Sequence, residues 1–209
     1  MLEAKVTNVS FSIDRTSSLT VKTTRSRLSG YSPFVGVNLI ITGTKEIGRT
    51  DEDEPVYKVN QTLVSGTGGI ATLSNLEWDS YTISVPNNSS IDIAGTWPFN
   101  PVALAPDQAL TVTVVTDTAS TNSLLVQLES DTQNPLESAR LELQSGGSIA
   151  TTSSGMVNYG DYSQGFFKNL LPGSYGLSIL AEGFETATSS VTVAGDKTEH
   201  LVINRKASP

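Results

Sequence analysis

Apolar and polar residues alternate with a period of two along most of this chain. Leu19 and Val21 are interleaved with Thr20 and Lys22, and Val35, Val37, Leu39 and Ile41 take every second position of their segment. Tyr81, Ile83 and Val85, and later Leu110, Val112 and Val114, repeat the pattern. Successive side chains on a strand point to opposite faces, so each segment is predicted to form a strand with one apolar face. Two such sheets bury their apolar faces against each other as a sandwich. No segment carries an i, i+3, i+4, i+7 stripe, so very little helix is expected.

The second half of the chain repeats the first. Ser18-Leu-Thr-Val-Lys resembles Ser123-Leu-Leu-Val-Gln, and Val35-Gly-Val-Asn-Leu-Ile-Ile resembles Glu137-Ser-Ala-Arg-Leu-Glu-Leu. The clearest match sets Leu73-Ser-Asn-Leu-Glu-Trp-Asp-Ser-Tyr against Phe167-Lys-Asn-Leu-Leu-Pro-Gly-Ser-Tyr. Ala105-Pro-Asp-Gln-Ala-Leu-Thr-Val likewise matches Ala194-Gly-Asp-Lys-Thr-Glu-His-Leu. Four matches in one order, offset by about 90–105 residues, mean duplicated domains rather than a solenoid. The expected division is a first sandwich over 18–117, a polar linker over 118–122 that restricts the modules to a limited range of angles, and a second sandwich over 123–206. Residues 1–17 precede the first module; Val9, Phe11 and Ile13 alternate there and suggest an extra edge strand or a continuation from upstream.

Composition narrows the function classes. The chain has 209 residues, enough for each half to bury its own core. Charged residues are only 16%, too few for a bundle with charged outer faces. A net charge of −8 offers no broad attraction for phosphate backbones, so nucleic acid is not an expected partner. The absence of cysteine removes disulfides, thiolate metal sites and thiol nucleophiles. No apolar run is long enough to span a bilayer, and no signal peptide is recognisable, so an exported protein would carry its export segment upstream.

The segment Asn169-Leu-Leu-Pro-Gly-Ser-Tyr-Gly-Leu-Ser-Ile-Leu-Ala-Glu-Gly-Phe-Glu resembles the hallmark L-x-P-G-x-Y-x-L-x-V-x-A-x-G-Y of carboxypeptidase-regulatory-like and Cna B-type domains. Pro172-Gly173 suits the turn, because Pro fixes φ and Gly tolerates unusual values. In the first module Glu77-Trp78-Asp79 stands where Pro-Gly is usual, so a different turn is expected there. That module is also similar to prepilin-like bacterial surface domains in Gly43-Thr-Lys-Glu-Ile-Gly, Pro55-Val-Tyr-Lys and Leu76-Glu-Trp-Asp-Ser-Tyr. The resemblance covers roughly 18–205 and implies two tandem Ig-like, transthyretin-like antiparallel β-sandwiches. It is informative for fold and weak for function, because this fold serves as spacer, stalk, adhesin and carbohydrate-binding module alike. It also raises an internal Lys–Asn isopeptide, which needs a buried Lys on the first strand and an Asn on the last. Lys22 lies on the first strand of module one, whose last strand has no Asn; Asn204 ends module two, whose first strand has no Lys. Neither module is expected to make the bond.

Other chemistry is sparse. The single histidine, His200, is out of phase with Leu201 and Ile203 and reads as a solvent-facing strand residue rather than a triad member. Gly43-Thr-Lys-Glu-Ile-Gly-Arg-Thr has P-loop-like spacing, but Arg49 replaces the required Lys and no helix follows; it reads as a hairpin or loop. Asp51 and Asp53, in the acidic run Asp51-Glu-Asp-Glu, suit the oxygen ligation of Ca²⁺, with a solvated loop tip as the commoner outcome. Trp78 and Trp97 offer flat faces for sugar stacking, but plugging an open end of the sandwich is the favoured reading. Tyr159, Tyr162, Phe166 and Phe167 form a similar aromatic group in module two, and two consecutive Phe cannot both face inward.

These features point to a non-catalytic structural or adhesion module of a secreted, surface or pilus-associated bacterial protein, with no cofactor and an extracellular location. The expected partners are other surface-protein domains or a host- or cell-surface glycan or protein. The alternatives are a carbohydrate-binding module, or an accessory domain of an extracellular enzyme.

Overall fold

The computed structural model describes residues 15–207. The alternating segment Val9, Phe11 and Ile13 therefore lies outside the described residues. Seventeen strands follow: β1 (Ser17–Arg25), β2 (Asn38–Thr42), β3 (Glu46–Arg49), β4 (Pro55–Tyr57), β5 (Asn60–Val64), β6 (Ile70–Leu76), β7 (Asp79–Ser84), β8 (Ile91–Trp97), β9 (Val102–Leu104), β10 (Ala109–Thr118), β11 (Ser123–Ser130), β12 (Arg140–Ser145), β13 (Ser148–Ser153), β14 (Gln164–Phe167), β15 (Gly173–Leu180), β16 (Ala187–Val193) and β17 (Asp196–Ile203). No α-helix occurs among the described residues.

The strands build two tandem sandwiches. In the first, the sheet β6-β1-β10-β8 faces the sheet β5-β2-β7-β9, and the hairpin β3-β4 stands apart from both. In the second, β14-β11-β17 faces β13-β12-β15-β16. Pairing is antiparallel except between first and last strands: β1 runs parallel to β10, and β11 parallel to β17. The period-two pattern explains the cores. Leu19, Val21, Val112 and Val114 from one sheet meet Leu39, Ile41, Tyr81 and Ile83 from the other. Leu124, Val126 and Leu128 meet Leu141, Leu143, Leu177 and Ile179 in the second core. Each fully buried aliphatic side chain contributes about 1.5–3 kcal/mol, so the alternation itself supplies the main drive for folding.

A tyrosine clasp recurs in both sandwiches. The Tyr81 hydroxyl donates to the Glu77 carbonyl at 2.8 Å, and the Tyr175 hydroxyl donates to the Leu171 carbonyl at 2.8 Å. Each tyrosine ties down the turn four residues before it, a strand-entry device known from other sandwiches. The first module's Glu77-Trp78-Asp79 turn thus differs in residues from Pro172-Gly173 yet is held by the same bond.

Candidate functional site

The residues singled out by sequence fall in separate places. The Gly43–Thr50 segment leads into the β3-β4 hairpin, whose tip carries Asp51 and Asp53. There Arg49 Nη1 lies 3.4 Å from the Asp53 carboxylate and donates to the Asp53 carbonyl at 2.9 Å. Among the described residues, no group of three or more His, Cys, Asp or Glu side chains converges as a metal site. Trp78 is 51% exposed at the β6–β7 turn, but Lys45 Nζ lies 4.0 Å from the centre of its ring, covering one face. Lys22 is exposed on β1 and faces Thr113 in the register, so it is not in the buried setting an isopeptide lysine needs. His200 is half exposed, with Nε2 3.1 Å from Glu129 and its ring 6.3 Å from that of Phe99.

Trp97 leads to a feature that sequence reasoning missed. Its ring packs edge-on to Tyr162 at 4.6 Å and to Phe99 at 5.3 Å, which places it in a contact between the two sandwiches. Tyr31 of the first sandwich stacks on Tyr159 of the second, with ring centres 4.2 Å apart and planes 15° apart. The aromatic group of the second half thus faces outward onto the first. Of the consecutive pair, Phe167 enters its own core, while Phe166 lines the junction.

Polar groups lock this junction. Asp161, buried, accepts from Arg27 Nη2 at 2.8 Å and Nε at 3.1 Å, and from the Tyr31 hydroxyl at 2.9 Å. Burial, aided by the Asp161 carboxylate, pushes the Tyr31 hydroxyl up to about 12. Gln164 makes a reciprocal pair with the backbone of Thr96: Nε2 donates to its carbonyl at 2.8 Å, and its N–H donates to Oε1 at 3.1 Å. Lys168 Nζ reaches Asp117 Oδ1 at 2.7 Å. The connecting residues Ala119–Asn122 are pinned as well. Asn122 donates to the Leu170 carbonyl at 3.1 Å and accepts from Gly195 N–H at 2.7 Å.

Glycines set how closely the surfaces approach. A Cβ on Gly95 would lie 2.8 Å from Asp161 Cα, and one on Gly160 would lie 2.7 Å from Thr113 Cγ2. The contacts also fix direction. Moving along β11 from the level of Lys168 to that of Gln164 and His200, which both lie opposite Gln127, the partners change from Asp117 to Thr96 and Phe99. In the first sandwich, Thr96 pairs with Val114, so these partners step backward along β10. The second sandwich therefore folds back against the flank of the first. Bonds across this interface, together with the pinned linker, join the two sandwiches.

A cleft of about 340 Å³ opens in the junction. Ile83, Val85, Ile93 and Leu125 give it an apolar floor, and Asp92, Asp196 and Gln127 bring polar groups to it. Asp92 Oδ2 accepts from Ser120 N–H at 2.9 Å, and Asp196 Oδ1 accepts from the Ser123 hydroxyl at 2.8 Å. Burial raises the Asp92 pKa, the Ser120 N–H partly offsets this, and the charge of Asp196 raises it further.

No family model matches the chain, and no curated protein matches it. Among solved structures, the chain is similar to a streptococcal ancillary pilin at 17% identity and a TM-score of 0.34, covering 92% of this chain and 63% of that one. It is similar to GBS52, the minor pilin of Streptococcus agalactiae, at 13% identity and 0.34, covering 92% and 98%. The shaft pilin SpaA of Lactobacillus rhamnosus GG gives 12% and 0.32, covering 94% and 100%. The chain thus spans less than two thirds of the length of the ancillary pilin. The fold assignment rests on the sheets and registers of the chain itself.

Proposed function

We propose that this chain is a non-catalytic structural module of an extracellular or cell-surface assembly of the pilus or stalk type, and that its work is to hold surface loops in a fixed arrangement. The observation that carries this reading is the junction. Asp161–Arg27–Tyr31, Gln164–Thr96 and Lys168–Asp117 join two sandwiches that each already have a complete core. Domains within a chain move relative to each other unless a well-made interface stops them. Here the interface combines stacked aromatics, a charge pair on a buried carboxylate and close glycine contacts. A rigid pair supports display and spacing, and Arg27, Asp161, Lys168 and Asp117 are engaged in structural bonds across it.

Immunogold labelling of intact producing cells, with antibody raised against this chain, tests the reading. Label on the surface or on filaments, lost after brief protease shaving, is the expected result. Label that appears only after lysis would overturn it.

A further inference from the structure

The cleft in the junction contains an unmet bonding need. Gln127 is 5% exposed, and its Nε2 is buried without a hydrogen-bond partner among the described residues. Leaving such a donor unpaired costs about 1–3 kcal/mol, so an orphaned amide lining a cleft is a signal for something that fills it. Gln127 lies on β11 between Val126 and Leu128, which point into the second core, so its own side chain points the other way, into the cleft. Two carboxylates share the space. Asp92 and Asp196 each have one oxygen engaged by a serine, and no described residue donates to the other oxygen. Lys197 does not neutralise them, because its Nζ is held 2.8 Å from Glu199. Asn100 is also spent: its amide group bonds both backbone groups of Ile83.

We propose that this cleft binds a small polyhydroxylated ligand, about one sugar residue in size, between the two sandwiches. The unfilled groups select that chemistry. A cation would satisfy Asp92 and Asp196 but would face the Gln127 N–H with the wrong polarity. An anion would suit Gln127 but meet two carboxylates. Adjacent hydroxyls do both, donating to the carboxylate oxygens and accepting from the amide. The apolar floor of Ile83, Val85, Ile93 and Leu125 suits the C–H face of a sugar ring. At about 340 Å³ the cleft lies at the lower end of the range for small-molecule sites. A peptide group supplies one donor and one acceptor but needs room for flanking side chains, so it is the less suited occupant. The proposal goes beyond a spacer role, and the surface location can fail while the cleft still binds.

The test uses the whole chain labelled with ¹⁵N and titrated with D-galactose, D-mannose and N-acetyl-D-glucosamine. Methylammonium and N-acetylglycinamide serve as the cationic and peptide probes. At least one sugar is expected to shift the Gln127 side-chain amide and the Ser84 and Ser123 backbone signals saturably, with a Kd of about 1 mM. Gln127→Leu, which removes the donor, should weaken that binding at least about tenfold. Ser84→Phe, which blocks the cleft from its lining without touching the donor, should do the same and keeps the test open if the first variant misfolds. No sugar-induced shift up to about 50 mM would overturn the proposal, as would tighter binding of either control probe or undiminished binding by Gln127→Leu.

Discussion

β1 and β11 occupy the same place in their sandwiches, each running parallel to the last strand, yet their outer faces have opposite fates. Inward, Leu19 and Val21 correspond to Leu124 and Val126, and all four are buried. Outward, β1 carries Thr20, which is half-buried, and Lys22, which is exposed, where β11 carries the buried Leu125 and Gln127. A duplicated scaffold has thus kept its core and turned one outer face into an interface. The lesson is that the inward pattern specifies the fold, while the assembly of the pair is written in the outward residues. Period-two reasoning treats those residues as solvent-facing by default.

The comparison breaks most severely at Asp161. Its two bonds from Arg27 and one from the Tyr31 hydroxyl are all made across the junction. Asp161→Ala leaves the half-buried Arg27 guanidinium without its counter-ion, and the expected cost is about 3 kcal/mol, discounted for the exposed part of Arg27. Urea unfolding followed by tryptophan fluorescence reads this directly, since Trp97 lies in the same junction. A loss below about 0.5 kcal/mol would mean that the sandwiches are not held together by this pair.

A swap of outward residues sharpens the point. Leu125→Thr gives β11 the residue found on β1 and should cost about 2 kcal/mol, because it removes buried apolar surface and places a hydroxyl in the junction. Thr20→Leu makes the reverse change on a more open face and should stay within about 0.5 kcal/mol. Equal costs, measured by thermal unfolding of both variants, would remove the distinction between the two strands.

Sequence reasoning reached the sheets more easily than the junction, and particular residues show why. The alternation at Leu39–Ile41 and Tyr81–Ile83 is local and becomes a buried face in the folded chain. The Arg27–Asp161 pair spans 134 positions, and nothing local marks either residue as buried. Two signals were nevertheless present. Leu124-Leu125-Val126 is a continuous apolar run, which is how a strand covered on both faces reads. Gly95 and Gly160 are glycines at points where backbones approach closely. The Gln127 amide had no comparable signal, because a strand glutamine ordinarily faces water. For Trp97 the sequence offered a plug or a sugar-stacking face, and nothing local marked its contact with Tyr162 of the other sandwich.

The smallest effect separates two carboxylates of the first sandwich by their response to pH. Burial pushes Asp79 upward, but bonds from the Thr44 hydroxyl and the backbone N–H groups of Ser80, Lys45 and Thr44 outweigh it, and its pKa lies below the ordinary 3.8. A lowered pKa gives stability that is present above the unfolded value and is lost as pH falls through the folded one. Asp79→Asn should therefore cost about 1 kcal/mol at neutral pH and flatten the acid limb of the stability curve. Asp92, in the junction, is raised above 3.8, by burial first and then by Asp196. Its folded form holds a proton more tightly than its unfolded form, so stability declines as pH rises from the unfolded value through the folded one. Asp92→Asn should leave stability unchanged in strong acid and raise it by up to about 1 kcal/mol at neutral pH, since the amide oxygen can still accept from Ser120. Thermal unfolding from pH 3 to pH 7 distinguishes the two variants, which should shift in opposite directions at the neutral end. A loss of stability in Asp92→Asn at pH 7 would mean that the junction carboxylate is held by donors as Asp79 is, and the contrast between core-turn and junction electrostatics would disappear.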